Sequence, residues 1–341
     1  MRSAHQPTAP TTATAPDRTM HAIVQDRYGS ADMLRPARIE RPEPAAGQVL
    51  LRVHAAGLDR GTWHLMTGRP YLMRLVCGLR GPKQRVPGRD VAGTVVALGP
   101  GVTDFAINDE VYGIGRGTFA QYAVARTDKL ARKPANATFA QAAAVPVSAL
   151  IALRALRDVG RVQAGQRVLI IGASGGVGSY AVQLATSFGA EVTGVASTGK
   201  QDLVRSLGAA HVLDYTREDF ADGAPGYDLI IDIAGNPTLS RLRRALAPTG
   251  TAVIVGGEEG GNLSGGMNRQ FRALALTPFV KQRLAMAIAD ERGSDLAELA
   301  TLIETGAVTP SVDRTYSLED TATAMRHLEA GTVRGKAVIT L

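Results

Sequence analysis

The run Val168-Leu-Ile-Ile-Gly-Ala-Ser-Gly-Gly-Val-Gly-Ser179 restricts the fold more than any other stretch of this chain. Val168 to Ile171 are apolar and read as a buried parallel strand. Gly172, Gly175, Gly176 and Gly178 follow at once, and Tyr180 to Thr186 then continues with helical spacing, Val182, Leu184 and Ala185 close to one face. Strand, glycine turn and helix in that order form a phosphate-binding arrangement. Glycines let the backbone turn sharply and approach a diphosphate with no Cβ in the way. The helix start offers unpaired N–H groups and the positive end of its dipole to an anion.

Downstream, strand and helix patterns alternate. Glu191–Ala196, His211–Leu213, Asp228–Ile233 and Thr251–Val255 read as strands, with helices over Lys200–Leu207 and Leu239–Leu246. That alternation predicts a doubly wound parallel α/β sheet. Upstream, His21–Val24, Gln48–His54 and the stretches Pro87–Gly99 and Asn108–Gly113 read as short strands broken by glycines, a twisted, barrel-like β domain. A short helix over 58–67 is capped by Asp59, and Ala140 to Asp158 reads as a helix interrupted near Pro146. From Leu296 onward the pattern is helix, strand, helix and a last strand, Ala337–Thr340.

At 341 residues the chain suits two domains, and no apolar run is long enough to span a bilayer. The net charge of +7 is spread rather than blocked, so no nucleic-acid partner is expected, and with no spanning run no membrane partner is expected either. Cys77 is the only cysteine, which excludes an internal disulfide and a four-Cys zinc site and suits a reducing cytoplasm. Residues 1–19 read as a disordered Ala/Thr/Pro-rich tail, with Met20 opening the folded part. Segment 68–90 carries Arg69, Arg74, Arg80, Lys83, Arg85 and Arg89 against one acid, Asp90. It reads either as a solvated loop or as a rim attracting an acidic ligand.

Three motifs resemble the medium-chain dehydrogenase/reductase superfamily, in its zinc-independent quinone oxidoreductase (zeta-crystallin-like) branch. They are Gly172-Ala-Ser-Gly-Gly-Val-Gly178; Gly88-Arg-Asp-Val-Ala-Gly93 with Val95, Gly99, Val102, Asp109, Val111 and Gly113 behind it; and Leu207-Gly-Ala209 followed by Asp214-Tyr215. The resemblance covers residues 20–341. It implies a Rossmann sheet over 148–291 and a GroES-like catalytic domain built from both flanks, 20–147 and 292–341, with the active site in the cleft between and homodimers usual. Asn108 stands where the family mostly has Gly, and Asn tolerates the left-handed angles of that turn. Ile151 stands where many relatives carry Thr near the nicotinamide.

The same resemblance implies a cofactor-binding set. Ser174, Gly175, Gly176 and Val177 belong to the glycine turn, and Gly235 and Asn236 lie near the nicotinamide ribose. Gly256 joins the set, and Lys336 approaches the diphosphate from the catalytic side unless it is a surface lysine on an edge strand. NAD-specific relatives place an Asp at the end of the second strand. Here that position is Ala196, and Ser197, Lys200 and Tyr215 match the positions that hold the 2′-phosphate in NADPH-using relatives. Taken singly, Lys200 reads equally as a solvated helix start and Tyr215 as a packing residue. Together they favour NADPH.

Zinc-using members carry Cys at the position of Asp59, and His and Glu at Arg89 and Asp90. A guanidinium has no lone pair for a metal, so no metal is expected. Without zinc, hydride transfer to a quinone or an α,β-unsaturated carbonyl is the easier chemistry, because charge spreads onto a distant oxygen that one donor can stabilise. Tyr71, His64 and, less readily, Arg89 are the candidate donors, with Asp59 kept among the catalytic candidates. Each also has a structural reading: Tyr71 packs, His64 ends a helix, and Arg89 pairs with Asp59 or Asp90. Alternatives are an enoyl-thioester reductase and a non-catalytic NADPH-binding protein.

Overall fold

The computed structural model describes residues 18–222, 226–256, 261–262, 265–287 and 290–341. Most of the expected tail lies outside these residues. At its end, the Arg18 carbonyl accepts from the Arg41 amide at 2.7 Å and Thr19 already pairs in a strand, so regular structure begins before Met20.

β1 (Thr19–Val24) pairs antiparallel with β2 (Arg35–Glu40). β3 (Gln48–Gly57) runs on past His54, because Ala55 and Ala56 are buried and still paired. After it come α1 (Arg60–Thr67), α2 (Arg74–Cys77), β4 (Asp90–Leu98), β5 (Glu110–Arg116) and β6 (Tyr122–Arg132). β3 pairs with both β4 and β6, so β3 to β6 close a small barrel. Asn108 sits at φ 73°, the left-handed turn expected of it.

The expected helix over 140–158 is two helices. α3 (Phe139–Ala143) starts at a Thr138/Gln141 capping box, and α4 (Pro146–Leu153) starts on its proline. Pro146 lacks the N–H a continuous helix needs, yet suits a first turn. The chain then coils more widely over Arg154–Gly160.

β7 (Arg167–Ile171), α5 (Gly176–Ser187), β8 (Glu191–Ala196), α6 (Gln201–Ser206), β9 (His211–Asp214), β10 (Tyr227–Asp232), α7 (Leu239–Ala245), β11 (Leu246–Ile254), α8 (Met267–Leu276) and β12 (Arg283–Met286) build the second sheet. Its strands are all parallel, in the order β12-β11-β10-β7-β8-β9. The winding reverses between β7 and β10, and a crevice opens outside their carboxyl ends, where such sheets take ligands.

The chain returns through α9 (Gly293–Glu304), β13 (Val312–Ser317), α10 (Thr321–Glu329) and β14 (Lys336–Thr340). β14 lies between β13 and β3, so Lys336 opens an interior strand and is 1% exposed. The edge-strand alternative for Lys336 is thereby excluded. One apolar cluster joins the lobes, running from Ala55, Ala92 and Tyr112 to Leu150, Tyr180 and Val182. The Tyr112 hydroxyl crosses it to donate to the Leu296 carbonyl at 2.5 Å.

Candidate active site

The glycine turn sits at the reversal of the sheet. Gly172 ends β7 at φ 86°, and its amide and that of Ala173 donate to the Val195 carbonyl. Gly175 caps α5, so the first amides of α5, on Gly176, Val177 and Gly178, have no carbonyl one turn upstream to bind. A Cβ on Gly178 would collide with the Gly172 carbonyl, whereas one on Gly175 would meet only that oxygen, at 3.4 Å. The inner side of the turn is packed solid and its outer side is open, as a cradle for a diphosphate requires.

Under this cradle lies a buried polar cluster joining the lobes. A Cβ on Gly176 would stand 3.1 Å from Lys336 Cδ and 3.2 Å from Ser148 Oγ. The Lys336 ammonium donates to Asp90 Oδ2 at 3.1 Å and to Ser148 Oγ at 3.0 Å. Asp90 Oδ1 accepts from the Val147 amide at 2.8 Å. Burial pushes the Asp90 carboxyl up to about 6, against the pull of the Lys336 cation, with the Asp59 charge adding to the rise. The Ser174 carbonyl accepts from the Gly335 amide at 2.9 Å, which fixes the turn to the start of β14.

At the next corner Ala196 pairs with Asp214, so Ser197 and Tyr215 leave adjacent strand ends. Lys200 reaches from the same corner to the carbonyls of Gly331 at 2.7 Å and Val333 at 2.8 Å. An ammonium has three donors, so one is left for an anion. The acid at this corner, Asp214, is buried and bound by the hydroxyls of Thr198 and Thr216. These bonds, Thr198 first, hold its carboxyl down at about 2. Arg334, which sequence reasoning passed over, stands close enough to depress the Lys200 ammonium after burial has lowered it. Tyr215 is 62% exposed and is no packing residue.

The far side of the crevice carries Gly235 at φ 94° and Asn236 at φ 44°. Arg269, on α8, donates to the Pro237 carbonyl at 2.9 Å and to the Gly256 carbonyl at 2.8 Å, tying the two loops together. Its Nη1 lies 2.6 Å from Asp232 Oδ2 at the end of β10. Neither Asp232 oxygen receives a well-aligned hydrogen bond, so this is a charge contact. Burial pushes the Asp232 carboxyl up to about 7 in spite of the arginine. Nothing in the local pattern of α8 marks Arg269 as Asp232's partner; the pair forms only when the helix crosses the strand ends.

The four catalytic candidates separate. Asp59 caps α1 through the Thr62 amide at 2.8 Å and hydroxyl at 3.1 Å, and is buried in that task. Arg89 pairs with Glu291 rather than with Asp59 or Asp90, and Glu291 also takes Lys129 at 2.7 Å. Asp90 is already held by Lys336 and Val147, which leaves the guanidinium to a residue distant in sequence. His64 Nδ1 lies 2.8 Å from the Arg69 carbonyl. A carbonyl only accepts, so Nδ1 carries a proton and donates it to this bond. Tyr71 is 42% exposed, its ring under the Arg74 guanidinium at 4.6 Å and its amide bound to the Asn262 carbonyl at 2.8 Å. Asn262 belongs to the segment leading into α8, so Tyr71 stands where the two lobes meet.

Zinc fits none of this. Asp59 is spent on a cap, Asp90 on a lysine and Arg89 on a glutamate, and among the described residues no group of three metal-ligating side chains converges.

Comparison with known proteins agrees with this layout. The alcohol dehydrogenase GroES-like domain model matches residues 45–135, and the zinc-binding dehydrogenase model matches residues 207–339. The NADPH-dependent alkenal/one oxidoreductase of Arabidopsis thaliana chloroplasts is 33% identical, over 94% of this chain and 79% of the relative. This chain belongs to the medium-chain dehydrogenase/reductase superfamily, in its quinone oxidoreductase branch. The quinone oxidoreductase of Coxiella burnetii superposes with a TM-score of 0.84 at 29% identity, covering 95% of this chain and 99% of that one. A component of the pikromycin polyketide synthase of Streptomyces venezuelae is 36% identical over 88% of this chain. There the chain spans only 8% of the relative's length. The protein is thus a medium-chain oxidoreductase.

Proposed function

We propose that this oxidoreductase uses NADPH, without a metal, to reduce a quinone or an α,β-unsaturated carbonyl. The observation that carries the reading is the corner at Ala196, where Ser197, Tyr215 and a spare Lys200 donor surround a position that carries no acid. The cofactor would supply a hydride. The amides of Gly176 to Gly178 would bind its diphosphate, with Lys336 beneath them adding positive potential. Gly235, Asn236 and Gly256, held together through Arg269, would flank the nicotinamide end.

For the substrate oxygen, Tyr71 is the better donor, because His64 Nδ1 already donates to the Arg69 carbonyl. A donor aimed at a developing oxyanion is worth roughly 3–4 kcal/mol. Tyr71→Phe is expected to lower kcat by about a hundredfold with little change in NADPH affinity. Unchanged kcat would remove Tyr71 from the site. The lobes divide at 20–147, 148–291 and 292–341 in this reading, and the protein acts as a cytoplasmic homodimer on a small molecule.

The polyketide synthase relative supports a second reading, an enoyl-thioester reductase, with the basic segment meeting a carrier phosphate. Arg85 is drawn to Asp26 at 2.6 Å, but Arg80 is exposed. An unchanged KM for a thioester after neutralising Arg80 and Arg85 would count against it.

A further inference from the structure

The segment that follows α1 turns its apolar residues outward. Leu75 is 68% exposed, Val76 75% and Leu79 68%. Soluble surfaces scatter such residues singly, and three large aliphatic side chains within five positions form a patch. The residues around them are cationic. From Gly68 to Arg89 there is no acidic residue, and Arg69, Arg80, Lys83 and Arg85 are exposed. Arg80 and Lys83 make no ion pair among the described residues.

A second acid-free stretch, Asn262 to Ala287, meets this one where Asn262 binds the Tyr71 amide and where Gly265 packs on Pro70. It also exposes aromatic surface, with Phe271 at 58% and Phe279 at 84%. Aliphatic and aromatic side chains set among cations, with the nearby acid Asp26 already held by Arg35 and Arg85, suit the headgroup region of an anionic bilayer. A second copy of the chain suits it poorly. A two-fold contact through this face would set the same cations against one another.

We propose that this face docks the protein on an anionic lipid surface, with Leu75, Val76 and Leu79 entering the interface and Arg80 and Lys83 meeting lipid phosphates. This departs from the expectation that no membrane takes part, which rested on the lack of a spanning segment; an interfacial face needs none. The docking stands on the surface alone. Its use, access to a lipid-dissolved quinone or enal beside Tyr71, rests on the reductase reading.

The test is co-sedimentation of the full chain, with and without NADPH, with phosphatidylcholine–phosphatidylglycerol vesicles and with phosphatidylcholine vesicles. Binding to the first and not the second is expected, weakening as salt is raised. Arg80→Gln with Lys83→Gln should lower the partition by about fivefold per charge removed. Leu75→Ser with Val76→Ser and Leu79→Ser should abolish binding while the unfolding midpoint stays put. No binding to anionic vesicles, or equal binding by the serine variant, would overturn the proposal. So would a change of oligomeric state in that variant by sedimentation velocity, which would show a second copy on the face. None of these readouts needs turnover, so failure of the reductase reading would leave them intact.

Discussion

Lys336 and Asp90 form a buried pair where the lobes meet. Removing the cation by Lys336→Met leaves a carboxylate with no counter-charge at the lobe junction. A loss of about 3–5 kcal/mol in unfolding free energy is expected at pH 8. The loss should shrink as pH falls towards about 6 and level off below it, because without Lys336 the Asp90 carboxyl takes its proton at a higher pH than the parent's about 6. The sign follows from linkage. Asp90 titrates higher in the fold than its ordinary 3.8, so the native state binds more protons and this group's contribution falls as pH rises from about 4 to about 6. Equal losses at pH 5 and pH 8, read by chemical denaturation, would contradict this. Lys200 permits a cleaner functional test. Lys200→Ala should weaken NADPH by roughly ten- to a hundredfold, the worth of a charged hydrogen bond, and leave NADH within about twofold. Isothermal titration of both cofactors checks it. Lys200 and Lys336 were visible in the sequence through motif position; their partners were not. The carbonyls of Gly331 and Val333 and the carboxylate of Asp90 lie more than a hundred positions away. Arg89 shows the same limit, since its nearest acid in sequence was already occupied.

At the scale of elements, α5 and its turn carry the account, and two of its glycines should behave differently. Gly178→Ala forces a Cβ into the Gly172 carbonyl and the Ala173 backbone, and should destabilise the fold by about 1–3 kcal/mol. Gly175→Ala meets only the Gly172 carbonyl, at 3.4 Å, so the unfolding midpoint should hold while NADPH affinity falls roughly tenfold. Equal effects of both substitutions on stability would mean that the cradle is not open where the geometry has it. The strands of the parallel sheet could be read directly, because Val168 to Ile171 and Leu229 to Ile231 are buried on both faces and their apolar runs are unbroken. The barrel strands were found as fragments. β6 went unread, because its apolar residues fall in two blocks, 122–125 and 130–131, split by Arg126 to Lys129, with no period of two; pairing to β3 and β5 makes the strand.

The whole molecule is two lobes joined by charges as well as by apolar packing. Arg269 ties the loops at the end of the parallel sheet, and the segment leading into its helix touches Pro70 and Tyr71 of the other lobe. Asp232, held at about 7 by burial, makes this junction sensitive to pH. Its contribution to stability falls as pH rises from about 4 to about 7, the native state again binding the extra proton. Asp232→Asn should flatten that part of the midpoint-against-pH curve relative to the parent; parallel curves would count against the assignment. Nothing in the periodicity of α8 foretold this contact, since Asp232 and Arg269 meet only in the assembled crevice. The central claim is that the crevice seats NADPH for reduction of a conjugated carbonyl or quinone. The most direct measurement is steady-state oxidation of NADPH and of NADH across a panel of quinones and enones. The account predicts turnover with at least one member and a preference for NADPH that Lys200→Ala removes; no NADPH oxidation with any member, or a preference for NADH, would contradict it.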